Sequence, residues 1–271
     1  MNTRDKTYPE APFLIHGANW LGMMTLYRRE LWRFLKVWNQ TVVAPMITTL
    51  IWLAILTLAL GSNRGGGVSD IPFNEFIAPG LVMMSIMQNS FANTSSSLML
   101  SKIQGTIIDV LMPPLTADEI TAAYIAGGVT RGILVGSSVA LAISFFVPIA
   151  MPHPLLAILY VLLASMLLAL LGLIGGLWAQ GFDQMSAITN YIITPLSFLS
   201  GTFYSVNALP DAWRAICFYN PFFYLIDGFR YAFTGYHDGS IAVGIMVICA
   251  MNISLWFIIR RMIQTGWRLK T

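Results

Sequence analysis

Charge-free stretches long enough to cross a bilayer dominate this sequence. No Asp, Glu, Lys or Arg occurs between Lys36 and Arg64, and five further apolar runs of similar length follow. A helix needs about 20 apolar residues to cross roughly 30 Å of hydrocarbon. The runs predict six transmembrane helices, at about residues 41–60, 76–98, 120–147, 155–178, 185–203 and 241–259. We therefore expect an all-α polytopic membrane protein.

Composition excludes the soluble alternatives. Hydrophobic residues make up 56% of the 271 residues and charged residues only 10%, whereas an average soluble domain carries about 25% charged residues. So few charges cannot cover a water-facing surface, and disorder requires low hydrophobicity. The net charge of +3 is too small to indicate a nucleic-acid partner. We expect a polar leader at residues 1–12 and one transmembrane domain at residues 13–271.

The basic residues predict the orientation, because lysine and arginine concentrate in cytoplasmic loops. With both termini cytoplasmic, the outer side holds Arg64, Arg214 and Arg230. Arg131 falls in the first turn of the third span, where it either snorkels to the headgroups or serves the substrate pathway. The cytoplasmic side then holds eleven basic residues: Arg4, Lys6, Arg28, Arg29, Arg33, Lys36, Lys102, Arg260, Arg261, Arg268 and Lys270.

An amphipathic helix is predicted at residues 20–38, before the first span. At 100° per residue its apolar positions share one face, and Arg29, Arg33 and Lys36 fall opposite. This pattern is typical of a helix that lies in the membrane interface near anionic headgroups, with Trp32, Arg33 and Lys36 as its marker residues. The alternative is a simple stop before span one. The apolar face consists of Trp20, Met24, Tyr27, Leu31, Phe34, Leu35 and Trp38.

A second short amphipathic helix is predicted at residues 102–111, ended by Pro113 and Pro114. Its apolar residues Ile107, Ile108 and Leu111 require cover, from either the headgroup layer or a cytoplasmic protein. Asp118 and Glu119 then begin the third span, where acidic residues favour a helix amino terminus.

The outer segment at residues 205–240 is aromatic but shorter than a full span. We interpret it as two short helices that dip into the outer leaflet, split at Asn220 and Pro221. For most of its aromatic residues, an interfacial belt is the better interpretation. Asp227 and Arg230 are spaced for an ion pair within one helix turn.

Residues for chemistry are missing from the sequence. It has no G-x-x-x-x-G-K-[ST] motif, its three histidines are far apart, and its two cysteines form no CxxC pair. We expect no catalytic residue, no metal site and no cofactor bound by this chain. Two alternatives stay open: an ion-coupled secondary transporter, which requires mid-membrane carboxylates, and a membrane-embedded enzyme that modifies lipid or glycan.

Several motifs together resemble one known family. They are Ala78-Pro79-Gly80, the segment 127–132, the segment 194–205 (TPLSFLSGTFYS), Asn220-Pro221 and Gly228-Phe229-Arg230. With the amphipathic helix and the Gly-Thr loop that ends in Pro-Pro, this pattern resembles the ABC-2 type transporter permeases, which include exporters of capsule and O-antigen polysaccharides and of some drugs. The resemblance covers nearly the whole chain after about residue 20.

That resemblance implies a bacterial inner-membrane permease without ATPase activity of its own. Two copies of a separate ABC ATPase subunit would bind ATP and Mg, and a second permease chain would complete a homodimer among membrane lipids. The family's acidic pair in the coupling loop is reduced to Asp109 here. The coupling helix would comprise Gly105, Thr106, Ile107, Ile108, Asp109, Val110 and Leu111, and the outer re-entrant segment at residues 206–231 would include Pro210, Trp213, Asn220, Pro221 and Arg230.

The expected activity is ATP-driven export of an amphipathic, lipid-linked or glycan-type substrate, or of a drug. Uncharged polar and aromatic residues on spans two and five are candidates to line the pathway, although each can equally bridge helices. These candidates are Asn89, Asn93, Tyr191, Phe198, Phe203 and Tyr204.

Overall fold

The computed structural model describes residues 17–61, 71–148 and 150–269, so the predicted leader at residues 1–12 lies outside the described part. The described chain is helical, as the sequence predicts. Its α-helices are α1 (Trp20–Leu35), α2 (Ala44–Leu56), α3 (Phe73–Ile103), α4 (Ile108–Leu111), α5 (Ala117–Ser144), α6 (Pro154–Trp178), α7 (Phe182–Ile188), α8 (Thr194–Leu199), α9 (Asp211–Tyr219), α10 (Pro221–Thr234) and α11 (Ile241–Gln264).

Helix α3 is the centre of the bundle, where α5, α6 and α10 pack around it. Of its 31 residues 22 are buried, and many of these are Ser, Thr or Asn. Small residues on its neighbours permit the close approach: a Cβ at Gly172 would lie 2.5 Å from the Phe91 carbonyl oxygen. The Thr94 hydroxyl donates to the Ala169 carbonyl at 2.8 Å. Small residues and hydroxyl bonds are how helices associate inside a membrane.

Within the described residues, four helical segments are long and apolar enough to cross a membrane: Asn39–Ala59, Ala117–Ser144, Pro154–Trp178 and Ile241–Gln264. Helix α3 has the length but carries polar side chains that its neighbours bury. The segment at 182–199 is divided into α7, a π-helical turn and α8. A multi-pass helical membrane protein is therefore confirmed, and the count of six spans stays a prediction.

Two of the predicted spans contain π-helical turns that the apolar pattern did not reveal. Two of these turns precede a proline: Asn39–Val43 lies before Pro45, and Thr189–Ile193 lies before Pro195. A third turn, Thr57–Gly61, ends the first predicted span. Proline has no N–H to donate and its ring collides with the carbonyl four residues earlier. The wider turn accommodates that missing bond without ending the helix.

The outer segment divides as predicted, with α9 ending just before Asn220 and α10 beginning at Pro221. The Asn220 side chain caps α10 by accepting from the Phe222 N–H at 3.0 Å. The interfacial-belt interpretation is wrong for Phe222, Phe223 and Phe229, which are buried in the core. Helix α10 packs against α3, α6 and α11, so these rings fill the protein interior.

Candidate functional site

The predicted coupling segment forms a turn followed by the single-turn helix α4. Gly105 takes a positive φ of 71°, which reverses the chain after α3. The side chains of Ile107 and Val110 are buried against the bundle, in a cluster with Leu98. Ile108 is 57% exposed, so the chain itself covers only part of the apolar surface that the sequence identified.

The exposed part of α4 is a small apolar surface with one acidic residue. Ile108 and Leu111 are 57% and 41% exposed, and Asp109 is exposed between them. Thr106 is also exposed, at the start of the segment. Helix α4 is therefore packed against the bundle on one side and uncovered on the other.

Lys102 links the base of the coupling segment to the carboxyl end of α6. Its buried ammonium group donates to the carbonyls of Gly176 at 3.1 Å, Leu177 at 2.6 Å and Ala179 at 2.8 Å. These carbonyls lie at or just beyond the last turn of a helix, where they lack intrahelical partners and attract a cation. The lysine therefore joins the base of the coupling segment to α6.

Helix α1 is attached to the bundle by a buried carboxylate. Glu30 is fully buried; its Oε1 accepts from the Ser97 hydroxyl at 2.7 Å and its Oε2 pairs with the Arg33 guanidinium at 3.2 Å. Arg33 also donates to the Oδ1 of Asn93 at 2.8 Å. Arg29 reaches Ser101 at 3.0 Å.

These contacts correct the predicted orientation of α1. Arg29 and Arg33 turn toward α3 and not toward headgroups, because buried polar groups on α3 offer them acceptors. Trp32 and Lys36 do remain exposed. Of the three marker residues, Arg33 is therefore half-buried against α3, and the other two are exposed.

A groove of about 340 Å³ lies between α2 and α3. Asn89, predicted as a lining residue, is part of its wall. Its wall contains both polar and apolar side chains, which suits an amphipathic molecule. The polar part comprises Gln40, Thr48, Thr49, Ser85, Gln88 and Asn89, and Trp52, Leu81 and Met84 supply apolar surface.

Arg131 contradicts the snorkelling interpretation. It is near the middle of α5, and its Nη2 donates to the Oδ1 of Asn89 at 3.0 Å. The helix begins at Ala117 and not near residue 128, so Arg131 is well inside the helix, and its side chain binds Asn89 of α3 instead of extending toward a helix end. Its Nε has no hydrogen-bond partner among the described residues.

The other predicted lining residues do not join this groove within one chain. Asn93 is buried and bonded to Arg33. Tyr191 is 81% exposed on the π-helical turn before α8. The rings of Phe198 and Phe203 contact each other with centroids 5.3 Å apart. The Tyr204 hydroxyl donates to the Leu199 carbonyl at 3.1 Å.

At the end of the bundle where α3 begins, Arg230 brings three of the sequence motifs together. Its Nε donates to the Phe76 carbonyl at 3.2 Å, and its Nη2 donates to the Gly201 carbonyl at 2.6 Å. A Cβ on Gly80 would lie 2.7 Å from the Thr202 carbonyl oxygen, so only glycine permits this approach. The motifs around residues 78–80, 200–202 and 228–230 thus form one contact.

The predicted Asp227–Arg230 ion pair is wrong. The Asp227 carboxylate accepts from the backbone N–H groups of Asp238 at 2.7 Å and Gly239 at 2.9 Å. Arg230 donates instead to the backbone carbonyls of residues 76, 201 and 202, which satisfy its guanidinium without a carboxylate. Spacing along one helix did not reveal these tertiary partners.

Asp238 joins the two loops that flank α9 and α10. Its carboxylate accepts from the Ser205 hydroxyl at 2.6 Å, the Val206 N–H at 2.9 Å and the Tyr236 hydroxyl at 2.7 Å. Burial, together with the adjacent Asp238 carboxylate, raises the pKa of Tyr236. The phenol therefore stays protonated and donates to the carboxylate at neutral pH.

The remaining predicted outer residues lie at the start of α9. The Pro210 carbonyl accepts from the backbone N–H of Trp213 at 3.0 Å, which closes the first turn. Trp213 itself is more than half exposed. Asn220 also donates to the Leu196 carbonyl at 2.8 Å, which ties α10 to α8.

Sequence reasoning counted Lys102 only as a cytoplasmic charge and did not select Glu30 or Gln40. The signal was available for Glu30, because an acidic residue lies on a helix whose other charges are basic. For Gln40, the signal is a polar residue at the start of a long apolar run. Within the described part of the chain, no group of three or more His, Cys, Asp or Glu side chains could hold a metal ion.

Comparisons with known proteins match most of the chain to one transporter family. Residues 22–234 match the family model described as ABC-2 type transporter. The chain is 35% identical over 252 residues to the inner membrane transport permease YadH of Escherichia coli K12, covering 93% of this chain and 98% of that protein. It is 24% identical to nodulation protein J of Sinorhizobium fredii, covering 89% of this chain and 90% of that protein. The same-named protein of Rhizobium leguminosarum bv. viciae is 26% identical, with 86% and 89% covered.

Proposed function

The chain belongs to the ABC-2 type transporter family, and from that membership we propose that it is the permease subunit of an ATP-driven exporter in a bacterial inner membrane. A separate ABC ATPase subunit, present in two copies, binds ATP and Mg and hydrolyses the ATP. Two permease chains form a homodimer around one pathway. Each chain crosses the membrane six times with both termini cytoplasmic, and α9 and α10 dip into the outer leaflet.

The observation that carries the proposal is the half-covered α4. Ile107 and Val110 anchor it to the bundle, while Ile108 and Leu111 are uncovered. Exposed apolar residues next to one carboxylate form a surface suited to a protein groove. We assign that groove to the ATPase subunit.

Motion can pass from α4 into the bundle through rigid contacts. Lys102 ties the base of the coupling segment to α6, and α1 is held to α3 by Glu30 and Arg33. ATP binding would move both ATPase subunits and with them each α4. The ATPase can shift the permease between states only if its contacts differ between them.

The groove between α2 and α3 supports an amphipathic substrate. Amide and hydroxyl groups at Gln40, Gln88 and Asn89 can hydrogen-bond a sugar or headgroup, and Trp52 and Met84 offer apolar surface. Tyr191, Phe198, Phe203 and Tyr204 would face the groove of the second chain. A lipid-linked or glycan-type molecule, or an amphipathic drug, has both kinds of surface.

Substitutions in α4 test the coupling. We expect the permease to stimulate the ATPase that copurifies with it, and Ile108→Asp to reduce that stimulation about tenfold, because a charge would be buried without a partner. Asp109→Arg should weaken it in the same direction. The control is Gln264→Asp, an exposed position at the end of α11. Full stimulation with both α4 variants would contradict the assignment.

A topology measurement is independent of coupling. A reporter fused after Tyr219, which lies at the end of α9, should be accessible only from outside the cell. A reporter fused at Gly105 should respond only in the cytoplasm. The opposite result at either position would refute the proposed orientation.

A further inference from the structure

Two cavities that α2 does not line meet at shared side chains. The first, of about 410 Å³, opens at the amino end of α3 and has Glu75 as the charged residue of its lining. The second, of about 280 Å³, lies between α5 and α6. Met151 and Phe233 belong to both linings. The two cavities therefore adjoin, as a single molecule with an apolar chain and a polar end would require.

The second cavity is an apolar groove that runs along two candidate spans. On α5 its lining includes Ile133, Gly136 and Ala140, which share one helix face at spacings of three, four and seven. At 1.5 Å per residue this face is about 10 Å long, or roughly two thirds of one leaflet. The rim residues Ile158 and Leu162 of α6 are exposed. In a membrane, the groove is thus open to acyl chains.

The first cavity adds a charge at the end of this groove. Glu75 is half-buried in the first turn of α3, and its carboxylate forms no hydrogen bond or ion pair with any residue that the structure describes. A carboxylate in this position favours a cation that can also donate hydrogen bonds. A primary ammonium group has both properties, whereas a quaternary ammonium has only the charge.

We propose that the two cavities bind one phospholipid with a primary-amine headgroup. An acyl chain fills the groove between α5 and α6, and the ammonium group pairs with Glu75. Charge complementarity selects this headgroup over anionic ones, and the membrane-facing rim selects a lipid chain over a protein segment. The site is separate from the groove between α2 and α3, and it does not depend on the ATPase.

Native mass spectrometry of the purified full chain tests the site. The protein is delipidated and incubated with phosphatidylethanolamine, phosphatidylcholine or phosphatidylglycerol of identical acyl chains. We expect one retained phosphatidylethanolamine, bound about fivefold more tightly than phosphatidylglycerol, with phosphatidylcholine between them. Equal retention of all three lipids would overturn the proposal.

Two variants separate the headgroup from the chain. Glu75→Gln should abolish the preference but leave one lipid bound, while Ser137→Trp, at an exposed position in the groove lining, should reduce retention of all three lipids. Leu141→Trp is the matched control on the exposed side of α5, outside the lining, and should change neither. Preference that survives Glu75→Gln, or a groove variant that changes only the oligomeric state, would refute the assignment. All variants are compared as folded, monodisperse samples, and no measurement uses ATP.

Discussion

The guanidinium of Arg230 lies 4.0 Å from the centre of the Phe76 ring, so the last outer helix is stacked on the first turn of the central one. The same guanidinium bonds carbonyls of residues 76, 201 and 202. A planar, always-charged group can satisfy several carbonyls and a ring face at once, which an ammonium cannot. One side chain therefore organises the end of the bundle where α3 begins.

Replacing that side chain should destabilise the protein. We expect Arg230→Lys to lower the free energy of unfolding by about 2–4 kcal/mol, since it leaves buried carbonyls without their donor and removes the stacking. Denaturant titration in detergent measures the change. The matched control is Arg214→Lys on α9, where the guanidinium is partly exposed, and its effect should stay below about 1 kcal/mol. Equal effects at both positions would contradict the role given to Arg230.

Gly80 should tolerate no side chain. Its Cβ would lie 2.7 Å from the Thr202 carbonyl oxygen, and backbone on both sides prevents an easy shift. Gly80→Ala should therefore cost about 1–3 kcal/mol of unfolding free energy. Gly181→Ala is the control, because no atom lies within 4 Å of a Cβ there. We expect that control to change stability by less than about 0.5 kcal/mol.

The Glu30–Arg33 pair should show strong energetic coupling. Glu30 is fully buried and also bonded to Ser97, whereas Arg33 is only half-buried. Removal of Arg33 therefore leaves a buried carboxylate whose remaining cation, Arg29, lies at 3.8 Å. A double-mutant cycle with Glu30→Gln and Arg33→Gln should give a coupling energy of about 1–3 kcal/mol. The exposed Asp211–Arg214 pair on α9 has the same spacing and should give at most about 0.5 kcal/mol. A larger coupling at the exposed pair would contradict burial as the cause.

The positions of the helices could be predicted because they depend on local signals. Apolar length located the four described segments that are long and apolar enough to cross a membrane. Thr116 with Glu119 closes a capping box where the acidic start of α5 was predicted. The split at Asn220 followed from proline. The predictions that failed concern tertiary contacts, because the partners of Arg131 and Asp227 come from other helices and loops.

The candidate site shows the same difference between local features, which could be predicted, and tertiary contacts, which could not. The coupling segment was visible as an amphipathic loop, and the structure divides its apolar residues into Ile107, which the bundle covers, and Ile108, which it does not. The partners of Arg33 could not be predicted from a helical projection, because the projection does not contain α3. Lys102 was hidden for the same reason, as its acceptors lie more than 70 residues further along the chain.

Lys102 provides the last prediction, which concerns transmission and not folding. Its ammonium group holds three carbonyls at the end of α6, and hydrogen bonds from a charged donor contribute about 1.5–3 kcal/mol each. Lys102→Met should loosen the coupling segment, so hydrogen exchange at residues 104–111 and 177–181 should quicken at least tenfold, while the core of α3 stays protected. Arg268→Met is the control, because among the residues that the structure describes this exposed side chain donates to one carbonyl, that of Trp178 at 2.9 Å. Its effect should be several-fold smaller. In the complex, Lys102→Met should retain the ATPase but lower its stimulation, since α4 would move without α6. Undiminished stimulation together with faster exchange would show that motion reaches the bundle by another contact.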